Sequence, residues 1–466
     1  MLTYSFQDKG KDSLYEFLYK SIRDDILSGK LRKQEKLPSK RALAEHLSIS
    51  TITVENAYNQ LVAEGYIYSK PKSGYYVSPI VSPKIYGAAD KNRYTAEKET
   101  LSPEIYTADF TNNAAAQESF PFDTWAKLMR QTISDKQEQL ILNSPSVGVR
   151  ELRFAISDYL FQFRGMSADP DCIVIGAGTE YLYSLIIQLL GRDKKYALED
   201  PGYRKIAQIY NANNVTFDYI PLDDNGISKT ELDKSSAQVL HISPSHHFPT
   251  GIVTPVSRRY ELLSWASETD DRYIIEDDYD SEFRFTGRPI PSLQSIDTLD
   301  KVIYINTFSK SLASTIRISY MVLPKALMER YRNELSFYSC TVSTFDQYTL
   351  AAFISQGYFE KHINRMRSYY RTQRDSVMSE IKTHPLYHKV KIKEEDSGLH
   401  FLMQADTALS DEELTANAKK KGVNLSCLSQ YYHEPSTAPQ HTLIINYSGL
   451  PKDGIDKAIE SLFECL

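Results

Sequence analysis

No apolar run in this 466-residue chain approaches the ~18 residues that a membrane-spanning helix requires. The opening Met1-Leu-Thr-Tyr-Ser-Phe carries neither the charged nor the apolar region of an export signal. Cysteine is scarce: Cys172, Cys340, Cys427 and Cys465 stand far apart, in neither disulfide-framework nor zinc spacing. The expectations are therefore a cytoplasmic protein with no metal site and no membrane partner. A large excess of one charge is missing too, although the net −6 is unevenly spread. Residues 1–79 hold 12 Lys and Arg against 9 Asp and Glu, about +3, which leaves about −9 for the remainder. Only that front favours a polyanion such as nucleic acid.

What is present is ordinary globular material, 41% hydrophobic and 24% charged. The length exceeds one hydrophobic core, so two or more domains are expected. Residues 13–29 read as a helix, capped by Ser13 and ended by Gly29, with Leu14, Phe17, Leu18, Ile22, Ile26 and Leu27 on its apolar face. Pro38-Ser39 starts a second helix that stops near Leu47, and Ser50 caps a third that closes at Gly65. Short helix, tight turn, capped helix is the helix-turn-helix layout, which binds DNA or serves as a protein-interaction module. Tyr66-Ile-Tyr-Ser and Gly74-Tyr-Tyr-Val around Lys70-Pro-Lys-Ser-Gly then read as a hairpin with a basic tip. Residues 79–104 mix Pro, Gly and charges without period, the composition of a linker.

From about Thr107 the pattern becomes that of a large α/β domain. Gly148 to Leu160 is an amphipathic helix, and Cys172-Ile-Val-Ile-Gly-Ala-Gly-Thr is a strand and a small-residue turn opening a helix. Gly176 to Thr179 place backbone N–H groups at that helix N-terminus, a ready phosphate site. Two β-branched runs, Ile274–Asp277 and Val302–Thr307, each end in a burst of polar residues, and in an open α/β sheet ligands bind at that edge. Asp277 and Tyr279 lie two apart, on one face of an extended chain. Ser309 and Lys310 follow the second run, with Arg317 beyond a short bend. Such a set fits pyridoxal phosphate (PLP). A lysine holds the aldehyde as a Schiff base, a carboxylate keeps the pyridine nitrogen protonated, a phenol donates to the ring oxygen, and a guanidinium clamps the phosphate. His246 and His247 are neighbours that point to opposite faces of a strand, which disfavours a metal between them.

Leu37-Pro-Ser-Lys-Arg41, Ser50-x-x-Thr-Val-x-x-Ala-Tyr-x-x-Leu61, Glu64-Gly-Tyr and Ser73-Gly-Tyr-Tyr-Val resemble the winged helix-turn-helix of GntR-type regulators. By that resemblance Arg41, Ser50, Thr51 and Thr53 face double-stranded operator DNA, with Lys72 and Gly74 at the wing; Thr51 stands where family members often carry a basic residue. The order of segments over residues 107–466 is similar to the fold-type-I aminotransferases, and the combination resembles the MocR branch of regulators. The implied architecture is a winged helix-turn-helix at 1–79, a linker at 80–104, and an aminotransferase-like effector and dimerisation domain at 105–466. That last domain has a mixed, mostly parallel sheet with helices on both faces, and a small C-terminal α+β subdomain from about residue 335. The resemblance implies Gly178 and Thr179 as phosphate-binding amides, Tyr203 as the aromatic near the ring, and Thr307, Ser309 and Arg317 as further phosphate contacts. Asp277, Tyr279 and Lys310 keep the roles their chemistry gives them, and the chain is expected to be a homodimer.

The departures are informative. No arginine follows Arg374, where catalytic relatives grip the substrate α-carboxylate, and Lys205 or His400 could fill that role only partly, lacking the bidentate fork. The tyrosine that relatives lend to the neighbouring chain's phosphate is replaced around Asn143–Gly148, Asn-Pro-Thr-Gly reads Phe248-Pro-Thr-Gly, and Arg-Leu-Gly-Tyr reads Arg317-Ile-Ser-Tyr320. The expectation is a transcription regulator that senses PLP or an amine-bearing effector with little full transamination. The alternatives are a working aminotransferase with a DNA-binding appendage and a regulator answering 4-aminobutyrate or another amino acid.

Overall fold

The computed structural model describes residues 2–6, 10, 12–79, 106–111, 120–285, 290–393 and 398–466. The chain divides into two compact units, Met1–Pro103 and Glu104–Leu466. The expected linker at 80–104 lies outside the described residues.

In the first unit α1 spans Leu14–Leu27, α2 Lys40–Leu47 and α3 Thr51–Ala63. Each begins where a serine supplies a side-chain acceptor to an otherwise orphaned N–H: Ser13 with Glu16 as a reciprocal capping box, Ser39 to Ala42, Ser50 to Thr53. Ser48, in a left-handed conformation with φ 54°, ends α2 and turns the chain into α3. Leu18, Ile22, Ile26, Leu43, Val54, Ala57, Tyr58 and Leu61 bury together. Leu14 and Leu27, expected on the same stripe, are exposed, because three helices leave the outermost turns of α1 uncovered. The Tyr58 hydroxyl donates to the Pro38 carbonyl at 3.0 Å and so fixes α3 against the start of α2. β1 (Ile67–Lys70) and β2 (Gly74–Val77) pair antiparallel. Their three-residue turn uses left-handed backbone at Lys72 (φ 60°), and β2 opens with positive φ at Gly74 (114°), where a glycine meets the demand.

The second unit opens with β3 (Ala108–Asp109) and is built on an eight-stranded sheet. Its strands are β4 (Ile173–Gly176), β5 (Tyr196–Asp200), β6 (Phe217–Asp223), β7 (Gly226–Ile227), β8 (Val239–Ile242), β9 (Tyr273–Asp277), β10 (Val302–Thr307) and β11 (Ser319–Val322), in the order β4-β11-β10-β9-β8-β5-β6-β7. Pairings are parallel from β10 through β9, β8 and β5 to β6, and antiparallel on both sides of β11 and at β7. The two-residue strand period sorts side chains to two covered faces. Ile173, Ile175 and Tyr304 pack with helices Arg150–Arg164 and Thr344–Ser355, whereas Val174, Ile303 and Ile305 pack with helices Thr179–Leu190 and Lys325–Glu334. The first of these helices starts at Arg150, two residues later than the sequence suggests.

A smaller antiparallel sheet follows the 26-residue helix Tyr358–Thr383. It comprises β12 (Val390–Lys393), β13 (His400–Ala405), β15 (Ser426–Cys427) and β16 (Thr442–Asn446), ordered β12-β13-β16-β15, while β14 (Val423–Asn424) pairs with β3 instead. Its core includes Ile459 and Leu462 of the last helix, and also Ala108, Phe110, Phe283 and Phe285 from far upstream. The small subdomain is therefore not a contiguous C-terminal piece: β3 and the stretch after β9 are part of its packing.

Candidate functional site

Within the second unit a cavity of about 500 Å³ opens at the C-terminal ends of the parallel strands. Its lining includes Gly178, Thr179, Tyr203, Asp277, Tyr279, Thr307, Ser309, Lys310 and Arg317. Five segments, distant in sequence, converge there: four lie at or just past the ends of β4, β5, β9 and β10 on this edge, and the fifth, at Arg317, leads into β11.

At the ring end, Asp277 closes β9 and is only 6% exposed. Its Oδ2 accepts from the Tyr183 hydroxyl and lies 3.8 Å from His241 Nε2, while Oδ1 has no hydrogen-bond partner. A buried carboxylate oxygen without a donor is costly in a closed protein, and an N–H entering the cavity satisfies it. Tyr279 is not on the strand, which ends two residues earlier, but the alternation persists. Asp278 turns the other way, its Oδ2 accepting from Arg164 (2.8 Å), the Tyr304 hydroxyl (2.6 Å) and Ser281 (2.9 Å). The Tyr279 hydroxyl is 3.3 Å from His246 Nδ1, which bonds Asp280 at 2.8 Å. Burial, with Asp280 and Asp277 nearby, pushes that hydroxyl well above the usual phenol range, so it remains a donor. Lys310 sits on the short helix Phe308–Ser311. Burial lowers its ammonium to about 8, partly opposed by Asp280, which brings the neutral amine within reach of ordinary pH.

At the other end the helix Thr179–Leu190 begins with Gly178 (φ 94°) and no side-chain cap. The position a Cβ would take at Gly178 is 2.4 Å from Arg317 Nη2, so the guanidinium rests against the turn and the positive φ excludes other residues. Arg317 is itself left-handed (φ 50°), uncommon for so large a side chain and typical of strain held at a site. The Thr307 hydroxyl accepts from the Ser309 N–H (3.1 Å) and from Ser319 (2.8 Å), holding the turn between strand and lysine. Glu180 receives both Arg317 (3.3 Å) and Lys205. This donor set fits PLP: an orphaned acceptor for a ring N–H, a buried amine of lowered basicity, and a helix N-terminus beside a guanidinium for a phosphate.

Tyr203 is half exposed at the rim, its ring 6.0 Å from Phe248. The small subdomain lends the cavity Tyr431, Tyr432 and His433, and no lysine or arginine among the described residues. His400 does not fill that role. It is buried and held neutral by desolvation, with Nε2 3.1 Å from the Pro249 carbonyl. Lys205 lines the cavity but is engaged by Glu180. His246 and His247 do point apart, the latter toward Thr250 (2.8 Å) and Glu199, and burial lowers His247 to about 3. Burial also raises Glu199 to about 8, against the Ser243 N–H that donates to it at 2.9 Å.

Sequence reasoning does not reach Tyr183, His241 or Glu199. Tyr183 was accessible in principle, one helical turn after Thr179. His241 and Glu199 were not, because their facing depends on which side of the sheet the pocket takes.

In the first unit Arg41, Ser50, Thr51 and Lys72 are exposed, and Thr53 and Gly74 partly so. Ser50 is occupied locally: its Oγ accepts the Thr53 N–H at 3.1 Å and lies 2.8 Å from the Thr53 hydroxyl. Both residues therefore build the start of α3.

Residues 109–462 match the model of the aminotransferase class I and II family, and residues 14–77 that of the gntR family of bacterial regulatory proteins. The chain is 38% identical over 450 residues to YdeL of Bacillus subtilis (strain 168), an uncharacterized HTH-type transcriptional regulator, covering 96% of each protein. It is 30% identical to the probable rhizopine catabolism regulatory protein MocR of Rhizobium meliloti, over 96% of this chain and 93% of that one. Among solved structures it is similar to the kynurenine aminotransferase of Pyrococcus horikoshii, with a TM-score of 0.67 and 24% identity over 78% of this chain and 90% of that one, a likeness of fold.

Proposed function

The chain belongs to the MocR-type transcription regulators, a GntR DNA-binding domain fused to a PLP-binding aminotransferase-like domain, and from that premise we propose that occupancy of the Lys310 pocket by PLP itself is the signal that sets DNA binding. When bound, PLP supplies an aldehyde for an amine and an electron-withdrawing pyridine ring. Lys310 gives the amine, Asp277 accepts the ring N–H, and Tyr279 donates to the ring oxygen. Gly178, Thr179, Thr307, Ser309 and Arg317 hold the phosphate, and Tyr203 covers the rim. Arg41, Thr51, Thr53 and Lys72 face operator DNA, with Ser50 and Gly74 shaping the surfaces that present them. The protein works in the cytoplasm, as a homodimer reading two half-sites. The exposed apolar side chains Phe122, Ile141, Leu142 and Phe337 of the second unit support that pairing, and light scattering that gave a monomer at micromolar concentration with PLP bound would remove it.

The observation that carries this reading is a C-terminal pocket wall with no lysine or arginine among the described residues to clamp a carboxylate, Arg204 and Lys205 lining the cavity from a different segment. An amino acid entering beside Lys310 brings an α-carboxylate into a water-poor cavity. Leaving one partner of a buried charge pair unmatched costs roughly 2–5 kcal/mol, about 30- to several-thousand-fold in affinity. The C-terminal wall meets it with Tyr431, Tyr432 and His433, and neutral His400 adds no charge. PLP needs no such clamp. The test adds PLP, then a panel of amino acids including 4-aminobutyrate, to cofactor-free protein on the DNA upstream of its own gene. PLP alone is expected to shift DNA binding and transcription; a null response to PLP beside a strong response to one amino acid overturns the reading.

A further inference from the structure

The helix that the DNA-binding reading sends into the major groove carries no positive charge. From Thr51 to Ala63 there is no lysine or arginine, and its one charged residue, Glu55, is ion-paired with Lys40 of α2. The commonest specific contact in DNA recognition, a basic side chain on guanine O6 and N7, therefore has no donor on α3. Among the exposed side chains of its first two turns are two of another kind, Ile52 and Asn56. Ile52 is 70% exposed, in the first turn, although its neighbour Val54 is fully buried. Asn56 is exposed one turn later. At four residues' separation they lie on one face, about 6 Å apart along the axis, close to two base-pair steps of ~3.4 Å. A lone exposed isoleucine is common on any protein surface. Here it occupies the part of a recognition helix whose N-terminal residues meet base edges, and the hydrogen-bonding side chain beside it suits adenine.

We propose that Ile52 and Asn56 read A·T pairs, Ile52 by apolar contact with a thymine C5-methyl and Asn56 by a bidentate bond to adenine N6 and N7. The operator half-site then carries A·T pairs, adjacent or one step apart, under the first two turns of α3. Arg41 and Lys72, on other elements, serve the phosphates and carry no part of this choice. The inference rests on the DNA-binding reading of residues 14–77 and adds to it the identity of the bases and of their readers.

The test uses the full-length protein and duplexes it selects from a random pool. Replacing thymines one at a time by uracil deletes a single methyl and leaves base pairing intact. One thymine per half-site is expected to show a loss of about fourfold, the weight of one buried methyl. Ile52→Ala is expected to bind the thymine and uracil duplexes equally, and Ile52→Val to restore part of the difference. Asn56→Ala is expected to lose between about fivefold and about a hundredfold, with relaxed preference at one adenine. The duplex change leaves the protein untouched, so misfolding cannot imitate the result. If specific duplexes are selected but no uracil substitution matters, or Ile52→Ala keeps the full methyl discrimination, this proposal is overturned while DNA binding stands. If the random pool yields no specific duplex, the DNA-binding reading fails and takes this one with it.

Discussion

The two units present their polar residues in opposite ways. In the first, Arg41, Thr51 and Lys72 are exposed to water and Ser50 is spent on a helix cap. In the second, Asp277, Tyr279 and Lys310 are withdrawn from water, one carboxylate oxygen has no partner, and burial displaces the lysine and the phenol from their ordinary ionisation. Exposed charge gains affinity from a polyanion through released counterions and is tuned by salt. Buried charge is tuned by pH and by whatever completes its hydrogen bonds. On the proposed reading the regulator thus holds one surface that answers to ionic strength and one cavity that answers to protonation.

The largest test of that contrast is in the cavity. Lys310→Ala is expected to abolish the visible absorbance of PLP-loaded protein and its trapping by borohydride; a retained band would place the covalent link elsewhere. Asp277→Asn is expected to weaken PLP binding by about 30- to several-thousand-fold, by loss of a buried ionic partner. Since it also removes a carboxylate whose Oδ1 is unpartnered without ligand, it should leave the melting temperature of the cofactor-free protein unchanged or higher.

Next in size is the pH response. The Lys310 ammonium, lowered to about 8, must shed its proton before it can attack an aldehyde. PLP capture followed by stopped-flow absorbance should rise about tenfold per pH unit below that value and flatten above it. A rate that keeps climbing toward pH 10 would mean an ordinary, solvated lysine.

The smallest effects belong to the first unit. Lys72→Ala should shallow the log–log salt slope of DNA binding by about 0.9, with no change in thermal stability. Ser50→Ala should cost about 1 kcal/mol of stability through the lost cap of α3, seen in the melting of that unit. Were Ser50→Ala to weaken DNA binding with no change in melting, its contact would be with DNA rather than with Thr53.

Much of this was legible in the chain because the signals are local. Serine caps, the glycine turn at Gly178 and the β-branched runs of β9 and β10 follow from nearest-neighbour chemistry. Asp277, Tyr279, Lys310 and Arg317 could be assigned to one ligand from their chemistry at or near strand ends, whereas Tyr203, Thr307 and the phosphate role of Ser309 came from the family resemblance. What was not legible depends on packing across the sheet. Tyr183 and His241 approach Asp277 only once the helix Thr179–Leu190 has chosen its face, and His400 loses its charge only once it is enclosed. The exposure of Leu14 and Leu27 follows from how few helices surround α1, which periodicity does not encode.

The stretch from Asp277 to Phe285 has a last consequence. Asp277 faces the cavity, while Phe283 and Phe285 are packed into the core of the small subdomain, with Arg367 and Arg371 of its long helix donating to the Glu282 and Phe285 carbonyls. Six residues from carboxylate to plug span at most about 20 Å, part of it wound into the short helix Ser281–Phe283. The ring-facing carboxylate and the C-terminal core thus share one strap, and a change at Asp277 is expected to be felt in both. The exchangeable module, for evolution or for an engineer, is the whole body from Glu104 to Leu466.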